Sequence, residues 1–340
     1  MPLIEPVPST EPLDPSVAAT RVAVRDALRP IEADPPPLVL VACSGGADSM
    51  ALAYAAAFIA QRPARRAGFR AGLVTVDHGL QVGSAERADH VAAWAKSHGL
   101  EPTVVMHVDA RSAGAGPEAS AREARYAALV EAAKQQDAAA VLVGHTRDDQ
   151  AETVLLAMAR GAGPRGLAGM PAERSIDGVL ILRPFLSLSR AQTRAACVAQ
   201  DAEIWDDPHN LEPRFARVRV RDAMSTLVAT LGPDIVPNLA RTAGLVASDN
   251  EALDAIAAAG FEDMLADGGL PCADLVDLPP AVRTRILRLF ALGLGAPGGS
   301  LSSIHIAGLD ALVVSWHGQG GVSLPGGTVV VRENGRLITG

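Results

Sequence analysis

Lysine is nearly missing from this 340-residue chain: Lys96 and Lys134 are the only two among 30 basic residues. Neither follows a glycine-rich turn, which excludes the phosphate loop of the GxxxxGK type. The same bias makes arginine abundant everywhere, so a cluster of arginines says little by itself. Cysteine is scarce too. Cys43, Cys197 and Cys272 are far apart and odd in number, which excludes a disulfide framework and any pair of thiols spaced to carry sulfur or hold a cluster. Aromatic residues make up 3%, so Trp94 and Trp205 are expected in the core. No apolar run approaches the ~20 residues of a membrane-spanning helix. The opening MPLIEPVPSTEPLDP has neither the basic segment nor the apolar block of a secretory signal. These absences lead to the expectation of a soluble, cytoplasmic protein that makes no membrane contact.

What is present is a repeating pattern. LVLVACS (38–44), AGLVTVDHG (71–79), PTVVMHVD (102–109) and AAVLVGHT (139–146) are short β-prone runs, and alanine-rich helix-prone stretches separate them. Strands alternating with helices describe successive βαβ units, hence an α/β fold with a parallel sheet covered on both faces. The spacing assigns residues 1–34 to a disordered tail and a helix, 35–205 to this α/β domain, 206–244 to a helical connector, and 245–340 to a small α+β domain. Hydrophobic residues at 49% are enough for a sizeable core, and the net charge of -8 argues against indiscriminate attraction to polyanions. The charge is uneven, however: residues 118–152 are net acidic and 160–221 net basic.

Ligands of open parallel sheets sit beyond the carboxyl ends of the strands. After the first strand comes Ser44-Gly45-Gly46-Ala47-Asp48-Ser49. The two glycines permit a tight turn and close approach of a ligand to the backbone, and the start of the next helix adds its amides to make a nest for phosphate. Ser44 and Ser49 add hydroxyl donors. Asp48 beside an anion makes sense if a magnesium ion bridges the carboxylate and a phosphate. The bland alternative is an ordinary glycine turn with Asp48 or Ser49 as a helix cap. Asp149 and Glu152, three residues apart on an expected helix, share a face on which two carboxylates can grip an ammonium group. Alternatively, Thr146 and Asp149 fit a capping box. His145 or a neighbouring carboxylate is placed to act as a base. Arg122 and Arg125, also three apart, are candidates to stabilise charge developing on a phosphate, or else are surface partners of Glu118 and Glu123. The glycine-rich stretch 161–169 around Arg165 is too irregular for a helix and is either a functional loop or a passive connection. The alternation of Arg214, Arg217, Arg219 and Arg221 suits an extended edge facing phosphates.

SGGADS resembles the pyrophosphate-binding loop of the N-type ATP pyrophosphatases. VDHGL (76–80), AREARY (121–126), GHTRDDQAETVLLAMARGAGPRGLAGM (144–170), LRPFLSLSR (182–190) and WDDPHNLEPRFARVRVR (205–221) follow in order. Together these segments resemble the tRNA(Ile)-lysidine synthetase family, closely over residues 38–225 and loosely beyond. The resemblance implies a PP-loop fold, like that of the adenine nucleotide α-hydrolases. It also implies that ATP adenylates the wobble cytidine of an isoleucine tRNA with a CAU anticodon, after which free lysine displaces AMP. Together with the residue readings above, it gives the ATP loop as Ser44–Ser49 with His78, magnesium at Asp48, and catalytic roles for Asp48, Arg122, His145 and Asp149. Lysine binding falls to Asp149 and Glu152, tRNA binding to Arg165, Arg214, Arg217, Arg219 and Arg221 and to the C-terminal domain. The family often forms dimers, so a homodimer is expected. Val218 stands where the family more often has asparagine. Two other readings stay open from the residues alone: an adenylating ligase for a small molecule, and a nucleotide- or RNA-binding module without turnover.

Overall fold

The computed structural model describes residues 12–61, 68–77, 79, 83–108, 117–207, 212, 216–265 and 269–340. The chain divides into two compact units, Met1–Gly244 and Leu245–Gly340. In the first, α1 (Pro15–Leu28) starts at Asp14, whose carboxylate accepts the backbone N–H groups of Ser16 and Val17, with Pro15 in the first turn. There follow β1 (Leu38–Ala42), α2 (Ala47–Ala60), β2 (Arg70–Asp77), α3 (Ser84–Ser97), β3 (Thr103–His107), α4 (Pro117–Gln135) and β4 (Ala140–Val143). Next come α5 (Arg147–Ala159), α6 (Pro164–Leu167), β5 (Glu173–Ile176), β6 (Val179–Leu182), α7 (Arg190–Val198) and α8 (Ala216–Leu231). α9 (Ile235–Met264) leads into the second unit.

The strands form one sheet in the order β3-β2-β1-β4-β6-β5, parallel except for the antiparallel β5–β6 pair. Side chains alternate across β1. Val39 and Val41 join a core made with α1, α2, α3 and α7, while Leu38, Leu40 and Ala42 join a second core against α4. Both faces are therefore buried, as the unbroken apolar runs of the strands require. α2 has no polar stripe; Ser49 to Ala53 and Ala55 to Ala57 are all buried, and its alanines let it lie close to the sheet.

The second unit contains β7 (Leu270–Pro271), α10 (Cys272–Val276), α11 (Pro280–Gly293), α12 (Ser303–Val314), β8 (Val322–Ser323), β9 (Val329–Glu333) and β10 (Arg336–Thr339). Its strands pair antiparallel in the order β7-β10-β9-β8. A separate core gathers Leu270, Leu275, Ile286, Leu287, Leu312 and Leu337. Among the described residues no helix is long and apolar enough to cross a membrane.

Two sequence expectations need correction at the level of elements. Arg217, Arg219 and Arg221 do not line an extended edge. They lie in α8, because a four-residue alternation is overruled by the helix-forming run that continues to Leu231. Arg214 lies outside the described residues. Stretch 161–169 is not wholly irregular: Pro164–Leu167 makes one helical turn, and Gln150 on α5 ties its far end by hydrogen bonds to both Met170 backbone groups. β5 is a polar edge strand with no apolar run to mark it, and Asp177 and Gly178, both at positive φ, form the hairpin turn that joins it to β6.

Candidate active site

The strand order reverses direction between β1 and β4, so the loops leaving these two strands diverge around one crevice. The β1–α2 loop turns through Gly45, whose φ of +85° is open to glycine and strained for other residues. Ser49 braces the turn from inside: its Oγ accepts the Ser44 N–H at 3.2 Å and donates to the Gly46 carbonyl at 2.9 Å. Ser44 is exposed, Gly45 is buried beneath Val91, Arg87 and Trp205, and Gly46, Ala47 and Asp48 are half-buried. Trp205 is thus a half-buried cover of the loop rather than a core residue, with its backbone N–H on the Gly45 carbonyl. No side chain caps α2, so its first-turn N–H groups point to the crevice.

The β4–α5 loop reaches the same place through Gly144. A Cβ there would stand 2.9 Å from the Asp48 carbonyl oxygen, so only a residue without a side chain lets α5 start against α2. α5 opens with a capping box. The Thr146 N–H and hydroxyl both donate to Asp149 Oδ2, at 2.8 and 2.9 Å. This leaves Asp149 Oδ1 facing the crevice, one helical turn from Glu152. Asp149 and Glu152 are buried, Glu152 to 2% exposure.

Between these carboxylates and Asp48 lies Arg190, the first residue of α7. Its Nη2 donates to Asp149 Oδ1 at 2.9 Å and to Glu152 Oε1 at 3.1 Å, and its Nε is 3.9 Å from Asp48 Oδ2. Its backbone N–H donates to Asp148 Oδ2 at 2.9 Å. α8 delivers a second guanidinium, with Arg221 Nε on Glu152 Oε1 at 2.8 Å. Glu152 Oε2 is buried and has no hydrogen-bond partner among the described residues. Sequence reasoning gave Arg190 no role, although it closes the segment LRPFLSLSR; nothing local reveals that this helix start meets Asp48, Asp148, Asp149 and Glu152.

Charge in the crevice is steeply structured. Burial, reinforced by Asp149, raises the Asp48 carboxyl to about 6 although Thr193 hydrogen-bonds it. Burial works the same way on Asp149, but Arg190 and the Thr146 donors outweigh it and hold that group below the ordinary range. Burial pulls His145 far down, so the ring is neutral, and its buried Nδ1 has no partner among the described residues. A weak base results. Arg122, Arg125, Arg183 and Arg217 gather around Tyr126, and burial together with mutual repulsion lowers Arg122 and Arg125. The expected phosphate-facing arginines thus stand in a cluster built by α4, α8 and Arg183, the residue that follows β6.

Other expected residues are placed as follows. Arg165 is exposed on α6 and Arg219 exposed on α8. Val218 is buried in α8, so an apolar residue suits its position. His78 lies outside the described residues. Its neighbour Asp77 is engaged by Gly79 N–H at 2.9 Å and by His107 at 3.3 Å. Hydrogen bonds, first from Ser84 and then from Gly79, hold Asp77 below its ordinary range. Among the described residues no group of three or more His, Cys, Asp or Glu side chains is arranged to hold a metal. A lone carboxylate at an anion nest fits a magnesium ion whose other ligands are phosphate oxygens and water.

Comparison with known proteins adds the following. A family model described as a PP-loop domain matches residues 20–227, and one described as the TilS substrate binding domain matches residues 270–338. The chain is 57% identical over 327 residues, 96% of each chain, to the tRNA(Ile)-lysidine synthase of Salinispora tropica. It is 54% identical to that of Streptomyces coelicolor over 306 residues, 89% of this chain and 85% of the relative. Among solved structures, the U34-tRNA thiolase NcsA from Methanococcus maripaludis, with its 4Fe–4S cluster, gives a TM-score of 0.56 at 18% identity. That likeness covers 68% of this chain and 80% of the thiolase, and bears on the fold alone.

Proposed function

The chain belongs to the tRNA(Ile)-lysidine synthase family, and from that premise we propose that it uses ATP to join lysine to the wobble cytidine of an isoleucine tRNA with a CAU anticodon. The carrying observation is that the uncapped α2 N-terminus, Asp48 and the Asp149–Glu152 pair converge within one crevice. In this reading the cytidine 2-oxygen attacks the α-phosphorus of ATP and pyrophosphate leaves. The lysine ε-amine then adds to the activated C2, and the C2–O bond breaks to release AMP.

Each step asks something of the chain. Amides of residues 46–49 and the helix dipole hold the departing pyrophosphate. Magnesium held by Asp48 would neutralise phosphate charge when bound. Arg122, Arg125 and Arg217 supply positive charge where the α-phosphate gains negative charge, at low local dielectric where it counts most. Cationic, desolvated guanidiniums in this position also suit the tRNA backbone.

For lysine, both Asp149 oxygens are engaged and Glu152 Oε1 takes two arginines, so Glu152 Oε2 is the oxygen left for the ammonium and for the proton it must lose. An unpaired buried carboxylate oxygen costs about 1–3 kcal/mol or more, a cost that ligand binding relieves. His145, neutral and weakly basic, serves as an acceptor rather than a proton store. The second unit carries the tRNA-binding role, a homodimer is the proposed assembly, and the cytoplasm, where tRNA and ATP meet, is the proposed location.

The test uses purified protein, ATP, magnesium, labelled lysine and tRNA transcripts bearing CAU or CAC anticodons. Label is expected only in the CAU isoleucine transcript. Pyrophosphate release without label in any RNA would transfer the activity to a small-molecule acceptor and end this reading.

A further inference from the structure

We propose that Arg190 is a resident counter-cation that occupies the amine cup of the free protein and surrenders it when polyphosphate binds, so that ATP and lysine bind with positive coupling. The inference rests on the reading of Asp149 and Glu152 as the lysine cup.

Its basis is a charge count. Asp149 and Glu152 carry two negative charges, and Arg190 and Arg221 supply two positive ones within 3.1 Å. Asp149 and Glu152 are thus already matched by two cations, and Asp48, 3.9 Å from Arg190 Nε, is the third acid of the site. Admitting an ammonium ion beside both guanidiniums would put three cations on that pair of buried carboxylates, which is disfavoured. Arg190 also fills the cup: its Nη2 bridges Asp149 Oδ1 and Glu152 Oε1, the two oxygens beside the Glu152 Oε2 that the ammonium would take. One guanidinium must therefore shift before the amine enters.

Arg190 is the one placed to do so. Its Nε already lies 3.9 Å from Asp48, the second residue of the helix whose N-terminus faces the phosphates. A polyanion on that N-terminus offers Arg190 a second partner at short range, and a guanidinium prefers the bidentate geometry that phosphate provides. Among the described residues the Arg221 guanidinium meets only carboxylates, Glu152 Oε1 at 2.8 Å and Asp149 Oδ1 at 3.9 Å. By linkage, whatever ATP adds to lysine affinity, lysine adds to ATP affinity. Arg190 acts as a positioning residue: it orders the two ligands and touches no reacting atom.

Lysine binding to the full-length protein is measured by calorimetry with and without saturating α,β-methylene ATP and magnesium, for the native protein, Arg190→Gln and Arg190→Lys. The native protein should bind lysine at least ~10-fold more tightly with the nucleotide. Arg190→Gln should bind lysine more tightly than native without nucleotide and show a coupling below ~3-fold. Arg190→Lys, which keeps a cation but cannot bridge two carboxylates, should fall between. Equal lysine affinity of the native protein in both states overturns the proposal, as does a Gln variant that keeps the native coupling or loses affinity equally in both states. Glu152→Gln separates the premises: if it abolishes lysine binding while Arg190→Gln leaves coupling intact, the cup stands and the exchange falls. If Glu152→Gln leaves lysine binding untouched, both fall.

Discussion

Asp149 and Glu152 differ in what they hold, and substitutions should separate them. Asp149 closes the capping box of α5, so Asp149→Ala removes the acceptor of the Thr146 N–H and should cost about 1 kcal/mol of stability. It should also weaken lysine binding. Glu152→Gln keeps the volume and the cap but leaves Arg190 and Arg221 with one carboxylate fewer, so it should abolish ligation and also lower the thermal midpoint. Paired melting curves and lysine titrations check this, and a Glu152→Gln variant that melts with the native protein and still binds lysine would contradict it. Asp48 makes a pH prediction. Its folded pKa of about 6 lies above its ordinary 3.8, so the folded state keeps a proton that the unfolded chain gives up between these values. Stability is full below pH 3.8 and is lost as pH rises through 6, by up to about 3 kcal/mol. Asp48→Asn should therefore unfold at a higher urea concentration than native at pH 7.5, with the advantage shrinking towards pH 4, while ATP turnover collapses. A variant no more stable at pH 7.5 would remove the burial argument.

At the scale of elements, the seam between the β1–α2 and β4–α5 loops is the most sensitive place. Gly144→Ala must push α5 away from the Asp48 peptide, at about 1–3 kcal/mol by the usual cost of overpacking. Nucleotide and lysine affinity should fall together, as titration of either ligand would show; loss of one alone would mean the loops are not coupled there. Much of this scale was legible. The strand runs at 38, 71, 102 and 139 became β1 to β4, and a parallel sheet fixes where loops converge, so the meeting of Asp48 with Asp149 follows from strand order. Arg190 was not legible, because its position depends on α7 packing against α2 rather than on any local spacing. The α8 arginines were misread because alternation over a few residues is a weak signal beside helix propensity over sixteen. In α8, Arg217 joins the Arg122–Arg125 cluster and Arg221 joins Glu152, spaced four apart on one face.

For the whole molecule, the two units have cores with no residue in common. Unfolding of separate cores need not be concerted. Calorimetric scans should show two transitions, and ATP with magnesium should raise only the one belonging to Met1–Gly244, by about 2.7 kcal/mol at a hundredfold excess over Kd. A single transition that shifts as a whole would show that the units melt as one. The acidic net charge bears on tRNA. Attraction must come from local arginines, so binding should weaken linearly in log–log plots against salt, with a slope set by the few phosphates neutralised.

The close passage of Gly144 over the Asp48 carbonyl also constrains how such a crevice can be re-engineered. Grafting a foreign segment in place of α5, to accept a different amine, would have to keep a side-chain-free residue at that junction. Otherwise the new amine pocket would lift away from the phosphate nest it must face, and the two half-reactions would lose their common floor.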